Sequence, residues 1–152
     1  MDNDNQSARK GLRADREYGG AESAAAHAPF IKINGYVLVA HTIGMLSCIA
    51  IHQQYADIEG VQEIMLTSGM IFAIGLVPTI LSFFLFRSVI SMSREAAAIA
   101  PDDAENINRD TAADDMNAEA MKRAKSGFKL LSFSGVCFVA STAIGVSGLL
   151  SL

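Results

Sequence analysis

Tryptophan is missing altogether, proline occurs three times and cysteine twice. With no Trp, an aromatic belt at a membrane surface has to come from Tyr and Phe. Both cysteines, Cys48 and Cys137, stand in apolar runs. Measured along two spans of the same direction, they differ in depth by roughly 10 Å at ~1.5 Å rise per residue. That is too far for an intrachain disulfide. Small buried thiols also need no reactive role. The chain has no glycine-rich phosphate loop, no HExxH, no CxxC and no nucleophile elbow, so no enzyme chemistry of its own is expected. A formal charge of -4 speaks against a general nucleic-acid binder.

Basic residues are also missing from most of the chain's 152 positions. Three apolar blocks stand out, from Ile33 to Ile51, from Ile64 to Phe86 and from Leu130 to Leu152, and none contains a charged residue. A hydrocarbon core of ~30 Å needs about 20 apolar residues in a helix. A helix also satisfies its own backbone where no water is available. The expected fold is therefore all-α and integral to a membrane. Three transmembrane helices are placed at about 33–51, 64–90 and 129–151.

Charge sets the expected orientation. Arg9, Lys10, Arg13, Arg16 and Lys32 precede the first span, and Arg87, Arg94, Arg109, Lys122, Arg123, Lys125 and Lys129 separate the second from the third. These are all 12 basic residues, and the connection over 52–63 has only acidic charges. The positive-inside rule then puts the N-terminus and the long loop in the cytoplasm, and the 52–63 loop and the C-terminus outside. The first span begins after about 30 hydrophilic residues, too late for a cleavable leader, and reads as a retained signal-anchor. A bacterial inner (plasma) membrane is the expected location.

The polar parts divide in two. Residues 1–29 have few large hydrophobes, which predicts a flexible cytoplasmic tail, with Pro29 marking the start of the first helix. The remainder, 30–152, reads as the membrane domain with a cytoplasmic helical loop at 92–127. In that loop, "SREAAAIA" (93–100) continues the second helix until Pro101 stops it. Asp102 is a candidate N-cap with Glu105 three residues on. Early acids and the late "KRAK" suit a helix dipole. The result would be a hairpin-like extension between helices 2 and 3. Ile107, Ala113, Met116, Ala120 and Ala124 form a weak apolar stripe on it, a candidate surface for a cytosolic partner. Its acids would repel nucleic-acid phosphate.

Within the spans His41 is the ionisable residue, and such residues are functional candidates by default. His41, Gly44, Met45, Cys48 and His52 share one helical face. Imidazole is a haem and metal ligand, and haem b or quinone contact is one reading of His41. A bis-histidine haem would need His41 from two subunits or a partner's histidine, because the other spans have none. The other reading is a packing residue, hydrogen-bonded to Ser134, Ser141 or Thr142 of the third span. Packing is the expected role, with no cofactor.

Small residues recur every fourth position: Ala40, Gly44 and Cys48 in the first span, Gly69 and Ala73 in the second, and Cys137, Ser141 and Gly145 in the third. Such faces let helices approach closely in lipid. Pro78 should kink the second span by freeing the Ile74 carbonyl. The function these features suggest is an accessory or scaffolding subunit of a membrane complex, partnered by lipid and by another membrane protein or itself. The rivals are a respiratory anchor using His41 and a holin-like oligomeric pore.

The charge asymmetry is testable with single cysteines (Ser7→Cys, Glu59→Cys, Asn117→Cys) in a Cys48→Ala, Cys137→Ala background. In intact cells an impermeant maleimide should label only the position 59 variant. Labelling at 117 without lysis would overturn the orientation.

Overall fold

The structure, a computed structural model, describes residues 2–98 and 107–150, with side chains over 25–58, 60–98 and 111–150. Among the described residues the regular elements are three helices: α1 (Asp2–Gln54), α2 (Glu59–Ala98) and α3 (Ile107–Leu150). All three are long and apolar enough to cross a membrane, within Ala25–Gln54, Gly60–Ala98 and Thr111–Leu150. The 40 residues of α2 correspond to roughly 60 Å of helix, about twice a hydrocarbon core. Each of α2 and α3 is therefore longer than a crossing requires.

Element boundaries extend past those expected from the apolar runs. α1 carries helical backbone from Asp2, through the segment expected to be a tail. Pro29 lies inside α1 and not at its start. Proline costs the helix one hydrogen bond, and packing on either side of it offsets that cost. Phe30 stacks on Phe86 with centroids 5.7 Å apart, and His27 meets the same ring at 6.5 Å. The expected stop at Pro101 and the cap by Asp102 and Glu105 lie outside the described residues.

The connection between α1 and α2 is much shorter than 52–63. Ile58 N donates to Tyr55 O, and Ile58 O then accepts Val61 N and Gln62 N, each at 3.1 Å. The Gln62 side chain returns a bond to Ala56 O. One turn thus caps both helices and makes them antiparallel neighbours.

The chain forms two compact units. One comprises Lys32–Phe84 and Gly127–Leu152 and the other Met1–Ile31 and Leu85–Ser126. In the first, buried positions follow a seven-residue repeat: Asn34, His41 and Cys48 on α1, Val61, Ser68, Gly75 and Ser82 on α2, and Gly127, Ser134, Ser141 and Gly148 on α3. A second set, Met65, Phe72 and Thr79, lies four residues after the first on α2. This is the spacing of a coiled-coil seam, in which side chains interdigitate along nearly parallel or antiparallel helices. Cys48, Val61, Met65 and Phe72 make its apolar cluster.

The second unit repeats the spacing with different chemistry. Val89, Ala120 and Ala124 form its buried cluster with Met92 packed against it, and Ala96 and Ala113 are buried as well. Of the stripe expected on this stretch of α3, Ala113, Ala120 and Ala124 are buried and Met116 is half-buried. Arg123 ties α3 to α2 by donating from Nη1 to Ser88 Oγ at 2.7 Å. Its Nε pairs with Glu119 one turn away at 3.0 Å.

An alanine seam has no room for larger side chains. Ala120→Leu should destabilise the protein by about 1–3 kcal/mol through overpacking, whereas Met121→Leu on the exposed face should change little. Thermal melting of the two variants in detergent checks the contrast.

Candidate functional site

The seven-residue repeat of the Lys32–Phe84 and Gly127–Leu152 unit places polar groups at three successive levels. Asn34, His41, Ser68, Thr79, Ser82, Ser134 and Ser141 are all fully buried. In an apolar surrounding each has to be hydrogen-bonded or incurs several kcal/mol of desolvation. The structure answers this level by level.

At the first level Asn34 and Ser82 bond reciprocally. Asn34 Nδ2 donates to Ser82 Oγ at 2.6 Å, and the Ser82 hydroxyl lies 2.8 Å from Asn34 Oδ1. The one hydroxyl proton also has Thr79 O within reach at 3.0 Å.

His41 holds the second level. Its Nε2 lies 2.9 Å from Ser134 Oγ and 3.2 Å from Ser134 O. In the tautomer with the ring proton on Nε2, the Ser134 carbonyl accepts from it. The Ser134 hydroxyl in turn has Gly75 O at 3.0 Å and the Thr79 hydroxyl at 2.5 Å. Thr79 Oγ1 donates to the same Gly75 carbonyl at 2.8 Å. Three helices are thereby joined through one imidazole, two hydroxyls and a backbone oxygen. Nδ1 is buried and has no hydrogen-bond partner.

The ring of His41 is enclosed by apolar groups. Phe72 and Phe138 meet it edge-to-face at 5.8 and 5.5 Å and each other at 5.7 Å. Gly75 lies against the imidazole so closely that any Cβ there would overlap ring atoms. That approach is why the position has no side chain.

At the third level Ser68 and Ser141 clasp each other. Ser68 Oγ donates to Ser141 O at 2.8 Å, and Ser141 Oγ donates to Ser68 O at 2.5 Å. The thiol of Cys48 donates to Ser68 Oγ at 3.3 Å. Of the three hydroxyls offered as partners for His41, only Ser134 meets it. Ser141 belongs to this level, and Thr142 is turned back to Phe138 O in its own helix.

The small residues expected at helix contacts have mixed placements. A Cβ at Gly44 would strike the Phe72 ring, one at Gly69 would touch Cys48 at 3.4 Å, and one at Gly145 would press Ser68 Oγ at 3.1 Å. Ala40 lines a groove of about 430 Å³ together with Gly44, Cys48, Ser141 and Gly145. Ala73 is exposed, and Cys137 is buried. Both cysteines are free thiols. α2 is helical across Pro78, which is itself buried. Thr79 and the doubly bonded Gly75 carbonyl flank it, so hydroxyls are at hand where proline disturbs the backbone ladder.

Asn34, Ser68, Gly75, Thr79 and Ser82 carry the ladder without being ionisable, so a scan for charged intramembrane residues passes over them. The signal that finds them is the seven-residue spacing of small and polar side chains. Among the described residues the fold and site comprise three membrane-length helices joined by a buried polar ladder. No protein-family model, curated protein or solved structure matches the chain.

The ladder makes distinct predictions for its members. His41→Asn keeps a donor and should retain most stability, whereas His41→Leu should lose up to about 2 kcal/mol, the upper range for interhelical hydrogen bonds in membranes. Gly75→Ala should be at least as damaging as His41→Leu, because it displaces the ring while leaving every polar group in place. Thermal unfolding in detergent ranks the three. A Gly75→Ala protein as stable as wild type would contradict the close approach.

Proposed function

We propose that the chain is a multi-pass inner-membrane protein of bacterial type that serves as an accessory or scaffolding subunit of a membrane complex. Its N-terminus and residues 92–127 lie in the cytoplasm and its C-terminus outside. The distribution of all 12 basic residues supports that orientation. The lengths of α2 and α3, well beyond a single crossing, support a hairpin-like cytoplasmic extension. The observation that carries the scaffolding role is the use made of the buried polar side chains. Asn34, Ser68, Thr79, Ser82, Ser134 and Ser141 each bond another element of the same bundle. Their hydroxyls and amide hold helices together, which is a structural task.

The surface supplies what a scaffold needs. α1 exposes Tyr36, Val39, Ile43, Leu46 and Ile49, a run that suits lipid or the helix of a membrane partner. On α3, Lys122 and Lys125 are exposed beside the alanine seam, which suits an acidic cytosolic partner. The reading of His41 as a packing residue is supported by its Nε2 bond to Ser134 and by the Gly75 backbone against its ring. Together they put the ring in contact with α2 and α3.

Purification of the full chain in mild detergent tests the proposal. A stoichiometric membrane partner should co-elute, and Lys122→Glu with Lys125→Glu should release any cytosolic component. A colourless preparation agrees with a packing His41. A Soret band abolished by both His41→Asn and His41→Leu would establish the respiratory-anchor reading instead. Ion leakage on expression, with no partner, would favour the pore.

A further inference from the structure

One cluster of donor side chains lies beside the polar ladder and shares Cys48 with it. Between α1 and α2, near the turn that joins them, lies a cavity of about 250 Å³. The residues that line it include Cys48, His52, Met45, Met65 and Met70. Three of the chain's seven methionines and one of its two cysteines thus meet at a single cavity. Cys48 and His52 are one helical turn apart on the same face of α1, and Cys48 and Met65 belong to one buried cluster. Met65 is 1% exposed, an ordinary place for a hydrophobe.

His52, half-buried, has like His41 a ring nitrogen that no hydrogen bond satisfies. Its Nδ1 is shut off from solvent and has no hydrogen-bond partner. A buried imidazole nitrogen without a partner incurs a desolvation cost that a ligand would remove. Cys48 is only loosely engaged, through a single 3.3 Å contact from sulfur to Ser68 Oγ.

We propose that this cavity is a binding site for a soft monovalent cation, copper(I), held by the Cys48 thiolate, the His52 imidazole and the Met65 thioether, with Met45 and Met70 in the wall around it. Donor chemistry selects the ion. Thiolate and thioether ligands favour copper(I) over harder divalent ions, and imidazole accepts it readily. Among the described residues no group of three or more His, Cys, Asp or Glu could hold a metal, so a site for zinc has too few conventional ligands. Binding displaces the Cys48 thiol proton to solvent and changes no oxidation state. The charge of the resulting thiolate–copper(I) pair cancels, which suits an apolar wall. The inference is independent of the scaffolding role, because its donors lie outside the His41 level.

The test is an anaerobic copper(I) titration of the full-length protein in detergent, against a chromophoric copper(I) chelator. One equivalent per chain should compete, and X-ray absorption should show both sulfur and nitrogen neighbours. His52→Leu, Cys48→Ala and Met65→Leu should each weaken binding by more than about tenfold, since loss of even an outer-shell partner typically costs 10–100-fold. Met65→Leu conserves volume and decides the matter if either of the others fails to purify. His27→Leu, at a residue that is not part of the cavity lining, should bind like wild type. Absence of competition would overturn the proposal. So would undiminished binding in Met65→Leu, or zinc(II) binding as tight as copper(I).

Discussion

Lipid does not push helices together. Acyl chains are as apolar as leucine, so a helix gains little by exchanging one for the other. What remains is close contact and hydrogen bonding, and this protein combines the two at the same positions. Ser68 and Ser141 exchange bonds with each other's carbonyls, which is geometrically possible only where two backbones nearly touch. Gly75 does the same for His41 by having no side chain at all. Each bond is worth only about 0.6 kcal/mol on average and rarely more than ~1.7. The bundle therefore depends on their number and on the absence of an unbonded alternative.

The same spacing serves two chemistries. In the unit of Lys32–Phe84 and Gly127–Leu152 the buried positions hold Asn, His, Ser, Thr and Gly beside Cys48, Val61, Met65 and Phe72, and in the other they hold Phe86, Val89, Ser93 and four alanines. In water, apolar burial alone can drive the packing of a seam flanked by charged residues such as Arg94, Asp114 and Lys122. In lipid, a seam flanked by Ile, Leu and Phe gains little from apolar burial, and hydroxyls and amides add bonds between helices. The change in seam composition is what the proposed passage from membrane to cytoplasm would require.

Sequence alone made the spans legible, because length, apolarity and charge asymmetry are summed over many residues. The separate roles of Ser134 and Ser141 were not legible. Either can be drawn opposite His41 on a helical wheel, and the choice depends on the vertical offset between α1 and α3. The tight turn at Tyr55–Ile58 was hidden for a similar reason, since "HQQYADIEGVQE" is polar throughout and reads as loop. Its hydrogen bonds show that most of it is helix end. Pro29 misled by its usual meaning. A proline costs one bond, and the rings of Phe30 and Phe86 supply contacts that composition cannot foresee. Of the small residues singled out by four-residue spacing, Gly44, Gly69 and Gly145 lie close to side chains of a neighbouring helix and Ala73 is exposed. A four-residue spacing cannot tell which side of a helix faces its neighbour.

A repeat of seven carries a risk of misalignment. Sliding α2 by one full repeat would again set small or polar residues opposite Asn34, His41 and Cys48, with only a few bonds exchanged. Gly75 prevents that degeneracy. It is flanked along the α2 seam by Ser68 and Ser82, and neither could let an imidazole come as near to the backbone. The bulky ring and the bare glycine are thus matched like the notch on a ruler. A missing methyl group, more than any single bond, specifies where the second helix comes to rest when it inserts beside the first.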